Sequence, residues 1–327
     1  MNLWISKNKK LCIFSLVLCL GLTTISKQER NTPGDKFLSS GDSIIRGNMV
    51  KINNYENVSK HMENKNFSFL EEIVIFQEEE EYPQGICMTD DFVLISSYSG
   101  VRDNLGTVKV FDKKTGECLL VLGMDENSHL GGIAFDGKNI WVCNSSNMTI
   151  ERIPYSFILQ MIQDNKGRMI DVRNLVEGYR VNNIPSTITY YDKTLWVATH
   201  SVWTNATMVR YYYNEEKNKL NSQETFWVPP KVQGVTFTDH GEVFLSTSYG
   251  RTKPSYIKKY KSVYAMTDNV KAFKKEIELP PCSEGIVYED KKLYILFESA
   301  GKKYLEGTDG KGKSIAPIDK ILVLEEK

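Results

Sequence analysis

Beyond residue 70 the chain alternates short apolar runs with polar turns, and the alternation repeats. One unit reads Gln84-Gly85-Ile86-Cys87, a turn at Asp90-Asp91, then the apolar run 92–97. The same order returns at Gly131-Gly132-Ile133-Ala134 with Ile140-Trp141-Val142-Cys143, and at Ser186-Thr187-Ile188 with Leu195-Trp196-Val197. It returns again at Gln233-Gly234-Val235 with Phe244-Leu245, and at Glu284-Gly285-Ile286 with Tyr294-Ile295-Leu296. With Gly85, Gly132, Thr187, Gly234 and Gly285 as equivalents, the interval is about 50 residues, the length of a β-propeller blade. Each unit carries two further strand patterns: third strands at 107–111, 149–153, 208–212, 256–260 and 321–324, and fourth strands at 118–122, 179–181, 226–228 and 277–279. The fifth unit lacks a fourth strand, but 73–76 stands at the same offset before Gly85. The fold class predicted is therefore all-β: a single propeller of five blades of four antiparallel strands, closed by an N-terminal strand against 321–324. Closure hides two sheet edges that would otherwise pair with other chains.

The long insert 156–179 leaves six blades as the alternative. Phe157, Ile158, Met161 and Ile162 fall at helical spacing, so a short helix over 156–163 is the preferred reading. The second strand of each unit is almost continuously apolar, as a strand covered on both faces must be. Trp141, Trp196, Phe244 and Tyr294 occupy matching positions there and are expected to fill the wedges between blades.

The N-terminus has a different pattern. Lys7, Lys9 and Lys10 precede an apolar run over 11–22, and the first acidic residue is Glu29. That run has signal-peptide length and falls short of a bilayer span. The domain reading is a signal peptide or membrane anchor at 1–28, a polar leader at 29–70 and the propeller at 71–327. The expected location is extracytoplasmic, secreted or held at the cell surface, with membrane contact only through the N-terminal segment. Cys87, Cys118, Cys143 and Cys282 show no CxxC spacing, which argues against a zinc site. The first three lie in apolar strands and read as buried small hydrophobes.

Charge narrows the partners. Lys and Arg number 41 and Asp and Glu 41, for a formal net charge of zero. A nucleic-acid partner is not expected without a basic excess, and the chain is expected to be a monomer.

Candidate chemistry sits where polar residues interrupt the strand pattern. One ring precedes the equivalent glycine: Gln84, Gly131 with His129 nearby, Ser186, Gln233 and Glu284. A second comes after the second strand: Tyr98, Ser145, His200, Ser248 and Glu298, with Asn144 adjoining. The first strand turns tightly into the second, so both rings fall at one mouth of the channel, the expected place for a ligand. The ligand-binding candidates are Gln84, Tyr98, His129, Asn144, Ser186, His200, Gln233, Ser248, Glu284 and Glu298. Glu284 and Glu298 are the candidates for a general acid/base pair. With Asn144 they are also candidate oxygen ligands for a divalent cation such as Ca²⁺. Neither GxSxG nor HExxH occurs. The leading functional expectation is an exported propeller that binds a small molecule, a glycan or a cell-surface protein at its channel mouth. The alternatives are a divalent-metal-dependent hydrolase or lactonase at the same mouth, and a structural or adhesive envelope module using patches such as Tyr211-Tyr212-Tyr213.

The phrases Tyr82-Pro83-Gln84-Gly85-Ile86, His129-Leu130-Gly131-Gly132-Ile133-Ala134, Val232-Gln233-Gly234-Val235 and Ser283-Glu284-Gly285-Ile286, with Leu296-Phe297-Glu298-Ser299-Ala300, resemble a group of secreted bacterial β-propeller proteins of unassigned activity. More distantly the chain is similar to gluconolactonase-like and strictosidine-synthase-like propellers and to NHL-repeat propellers. The gluconolactonase resemblance implies a divalent metal at the channel mouth, with Glu284 and Asn144 at matching positions. Those relatives have six blades, where the repeat here counts five.

Overall fold

The computed structural model describes residues 67–74, 80–165 and 167–327. The segment 1–28 and the leader up to 66 lie outside the described residues. No helix among the described residues is long and apolar enough to cross a membrane.

Strand β1 (Phe67–Val74) opens the fold four residues before the boundary expected from the sequence. Blade 1 then comprises β2 (Glu81–Met88), β3 (Phe92–Ser99), β4 (Thr107–Asp112) and β5 (Cys118–Gly123). Blade 2 holds β6 (Ile133–Phe135), β7 (Asn139–Asn144) and β8 (Thr149–Pro154). The chain next forms helix α1 (Tyr155–Asn165) and strand β9 (Met169–Asp171), and completes blade 2 with β10 (Glu177–Arg180). Blade 3 is β11 (Thr187–Tyr191), β12 (Thr194–Ala198), β13 (Ala206–Asn214) and β14 (Lys219–Val228). Blade 4 is β15 (Val232–Phe237), β16 (Val243–Thr247), β17 (Ser255–Tyr260) and, after helix α2 (Val263–Asp268), β18 (Lys275–Leu279). Blade 5 is β19 (Ser283–Glu289), β20 (Lys292–Phe297) and, after helix α3 (Lys302–Glu306), β21 (Lys320–Glu326). Its outer strand is β1, which pairs antiparallel with β21, Ile73 opposite Ile321. The protein is a five-bladed propeller closed as its repeat predicts.

The insert builds no sixth blade. Helix α1 buries Ile158 against the seam between blades 1 and 2, and β9 adds in parallel to the outer edge of β5. That extra strand covers an edge which would otherwise present unpaired backbone groups.

Five apolar clusters fill the five seams. Trp141 packs between blades 2 and 3, Trp196 between 3 and 4, Phe244 between 4 and 5, and Tyr294 between 5 and 1. All four are buried. Truncating such an aromatic to Ala costs about 3–5 kcal/mol, because the wedge it fills cannot collapse. All four cysteines among the described residues are free and buried: Cys87, Cys118 and Cys143 as their apolar strands suggested, and Cys282 in the turn into β19. In β13, Tyr211 is buried and Tyr212 faces outward, so Tyr211-Tyr212-Tyr213 alternates across the sheet and forms no patch.

The axis explains the glycines. A Cβ on Gly132 would lie 2.6 Å from the Ile188 nitrogen, and one on Gly85 would lie 2.7 Å from the Gly132 Cα. Five inner strands around a narrow axis approach too closely for side chains at these positions.

Candidate functional site

Three of the five inner strands carry a bulge at the residue beside the axial glycine. Registers shift between Pro83 and Gly85, between Val232 and Gly234, and between Ser283 and Ile286. An extra residue in one strand turns its side chain away from the regular pleat. The bulged residues are Gln84, Gln233 and Glu284, and their side chains bond to one another's neighbourhood. Gln233 Nε2 donates to Glu284 Oε1 at 2.9 Å, and Gln84 Nε2 donates to Glu298 Oε2 at 2.9 Å. Glu298 stands just past β20, held there by its amide, which donates to the Cys282 carbonyl at 3.2 Å. Cys282 itself adopts a left-handed conformation (φ 67°) that turns the chain into β19.

Glu284 and Glu298 are hydrogen-bonded carboxyls. Glu284 is 2 % exposed. Burial raises its pKa well above the ordinary carboxyl value, and the adjacent Glu298 raises it further. The two carboxyls titrate as a pair, and the raised value means that they share a proton. Glu298 also accepts from the Tyr304 hydroxyl. The pair is a proton held between two carboxyls, with an amide on each and a phenol on one.

Above the pair lies an aromatic wall. Tyr82 and Tyr98 stack at 5.0 Å, Tyr304 meets Tyr82 edge-on at 5.8 Å, and the His129 ring lies 4.5 Å from Tyr98. The Lys303 Nζ sits among these rings, 4.2 Å from the centroid of Tyr82 and 4.7 Å from those of Tyr98 and Tyr304, and donates to the Tyr98 hydroxyl. Burial lowers the Lys303 pKa, and the Glu298 carboxylate partly opposes that. Burial raises the phenol of Tyr98 far above its usual value and pushes Tyr82 up to about 12, so both remain protonated. His129 keeps a solvent-facing side. Loss of water on its covered side lowers its pKa, against the pull of Glu298. A cleft of about 420 Å³ opens beside this wall, lined by Tyr82, Tyr98, His129 and Lys303 and rimmed by Glu80 and Asp309.

The sequence-predicted residues divide sharply. Gln84, Tyr98, His129, Gln233, Glu284 and Glu298 come together as described. Asn144 does not join them: its amide donates to Asp125 at 2.9 Å and to Glu151 at 2.7 Å. The ligand set Glu284, Asn144 and Glu298 therefore does not assemble. No group of three His, Cys, Asp or Glu among the described residues is placed to hold a metal ion. His200 donates from Nδ1 to the Val232 carbonyl at 3.0 Å. Ser248 accepts from the Cys282 amide at 3.1 Å and from the Ser255 hydroxyl at 2.8 Å. The Ser186 amide donates to the Ala198 carbonyl at 3.0 Å. The His200 and Ser248 side chains thus fasten main chain, and Ser186 is tied only through its own peptide group.

Four residues at or beside the site escape a reading by repeats: Tyr82, Lys303, Tyr304 and Arg251. Lys303 and Tyr304 belong to the non-repeating insert between β20 and β21. Arg251 clamps that insert, bonding Asp309 through both terminal nitrogens and the Lys303 carbonyl at 2.9 Å, with its guanidinium 4.4 Å above the Tyr304 ring. The aromatic residues Tyr82 and Tyr304 in a polar context were the one signal available.

No protein-family model and no curated protein matches the sequence. Among solved structures the chain is similar to the PQQ-bound aldose sugar dehydrogenase of Streptomyces coelicolor (TM-score 0.50, 14 % identity, covering 80 % of this chain and 98 % of that one). It also matches glutaminyl cyclase of Myxococcus xanthus (TM-score 0.44, 9 % identity, 80 % and 97 % covered). A third match is hydrazine synthase of Kuenenia stuttgartiensis (TM-score 0.39, 14 % identity), of which the chain spans 56 % with 68 % of its own length. At 14 % identity the likeness to the sugar dehydrogenase extends to the fold alone. The protein is of the β-propeller class.

Proposed function

We propose that this protein binds a small polar molecule in the cleft at its channel mouth. The observation that supports this is the union of one aromatic wall, Tyr82, Tyr98 and His129, with Lys303 at a cleft of about 420 Å³, while the buried carboxyl pair lies behind it and reaches it through Tyr304. A flat ring face supports stacking, and the few polar groups set orientation. The volume favours a small molecule over an extended glycan chain or a protein surface. Export through the N-terminal segment and a monomeric state belong to the same proposal. Saturation-transfer NMR of the purified protein against a panel of sugars, sugar acids and small carbonyl compounds tests it. A hit is expected, and Tyr98→Ala is expected to weaken it by about tenfold (roughly 1.4 kcal/mol). No hit in the panel, or a hit indifferent to Tyr98→Ala, overturns the reading.

The carboxyl pair supports a second reading, a hydrolase with Glu284 as acid and Glu298 as base. A divalent cation on the pair would displace the shared proton, so metal analysis of the purified protein separates acid–base from metal-dependent chemistry.

A further inference from the structure

Lys303 brings the strongest nucleophile to the cleft. Its amine borders the cavity and donates to the Tyr98 hydroxyl. No carboxylate forms a salt bridge with it among the described residues. Other buried or nearby lysines differ: Lys109, Lys259 and Lys302 each bond a carboxylate. Half-burial among three tyrosine rings deprives the amine of water, and the Arg251 guanidinium adds an unfavourable charge. A lysine that is desolvated and next to another cationic group is the standard arrangement for an amine that attacks carbonyls.

We propose that Lys303 forms a Schiff base with a small aldehyde or ketone bound in the cleft. The inference deepens the binding proposal above and rests on it. The neutral amine adds to the carbonyl carbon: the C–N bond forms as the C=O π bond breaks, and the oxygen takes up the proton that the nitrogen gives up, giving a carbinolamine. The hydroxyl then leaves as water with a proton drawn from solvent through the Tyr98 hydroxyl. Overall, amine, carbonyl compound and one proton give an iminium cation and one water. The product is a cation at the position that the Tyr82, Tyr98 and Tyr304 rings already surround at 4.2 to 4.7 Å. Ring faces attract cations, so the same cage that holds the ammonium stabilises the iminium. The Glu298 carboxylate, whose field reaches Lys303, acts in the same direction.

The test is reductive trapping. The full chain is incubated near neutral pH with glycolaldehyde, and in parallel with pyruvate, in the presence of cyanoborohydride. Peptide mass mapping then tracks each lysine in time. Lys303 is expected to be alkylated about tenfold faster than the exposed Lys114 and Lys138 by at least one probe. Equal or slower labelling of Lys303 with both probes overturns the proposal. Lys303→Met abolishes the fast phase if the assignment is right. A fast phase that persists in Lys303→Met places the reactive amine elsewhere and also overturns it. Reversible binding of the same probes is read separately by NMR. Binding without an adduct defeats only the Schiff base, whereas no binding and no adduct defeat the cleft proposal as well.

Discussion

The two halves of the channel mouth use equivalent positions in opposite ways. On the side of blades 1 and 5, Gln84, Glu284 and Glu298 bond side chain to side chain, Glu298 accepts from Tyr304, and Tyr98, bonded to Lys303, lines an open cleft. On the side of blades 3 and 4, the side chains of His200 and Ser248 bond peptide groups, and Ser186 bonds Ala198 through its own backbone amide. The difference lies in the segment that leaves the second strand of each blade. After β20 the chain inserts α3 and its loop, clamped by Arg251, and this insert delivers Lys303 and Tyr304 over the mouth. After β16 it returns to β17 through a short loop, and the polar residue at the strand end, Ser248, bonds the backbone of Cys282. A polar residue at a strand end thus becomes part of a site when a non-repeating segment faces it, and a fastening when none does.

The strongest test of that division acts on the axis both halves share. Gly132→Ala places a Cβ 2.6 Å from the Ile188 nitrogen, and Gly285→Ala places one 2.9 Å from the Gln84 oxygen. Each is expected to lose about 2–3 kcal/mol of stability in urea unfolding. Only Gly285→Ala, which shifts Glu284 and Gln84, is expected to weaken cleft binding at temperatures where both variants remain folded. Equal binding losses would erase the distinction between the halves.

Glu284→Gln comes next. A carboxyl whose folded pKa is raised contributes stability that is whole below its unfolded value, near 4.5, and is lost as pH rises through the folded value. Above about pH 4.5 the wild type is therefore expected to lose stability relative to Glu284→Gln, by up to about 1.4 kcal/mol per pH unit. Thermal unfolding of both proteins across that range measures it. Parallel pH profiles would mean that the proton is not held at Glu284.

The smallest effect is expected in the closed half. His200→Ala removes one bond to the Val232 carbonyl and should cost about 1 kcal/mol, with cleft binding unchanged. A binding loss comparable to that of Tyr98→Ala would show that the halves are not separate.

Much of the fold was legible because a blade is a local object. Strand lengths, the tight turns and the apolar second strands are written in contiguous residues, so the five units, the closing strand and the helix near 156–163 could be read directly. The boundary at Phe67 was missed because Phe67, Phe69 and Leu70 follow a long polar run and are cut off from Ile73 by Glu71-Glu72, so that only the pairing with β21 marks them as strand. Strand β9 was missed for the same reason: Met169–Asp171 is largely exposed and takes its form from the edge of β5.

The site was legible by half. The repeat alignment exposed Gln84, Gln233, Glu284 and Glu298 as polar breaks in an apolar pattern, and closure of the ring brought them together. The same logic grouped Asn144 with them. Only the folded chain puts Asp125 and Glu151 within reach of its amide, and those carboxylates engage it first.

The architecture is written along the chain, since a periodic pattern of apolar strands, tight turns and axial glycines closes compactly into a ring. Which polar residues face one another is settled only on folding. Bulges beside Gly85, Gly234 and Gly285 re-aim three side chains, and an insert that obeys no repeat supplies the tyrosine and the lysine. Those contacts join residues more than two hundred positions apart, such as Gln84 with Glu298 and Tyr98 with Lys303. Their geometry comes from ring closure, which no local stretch of sequence encodes.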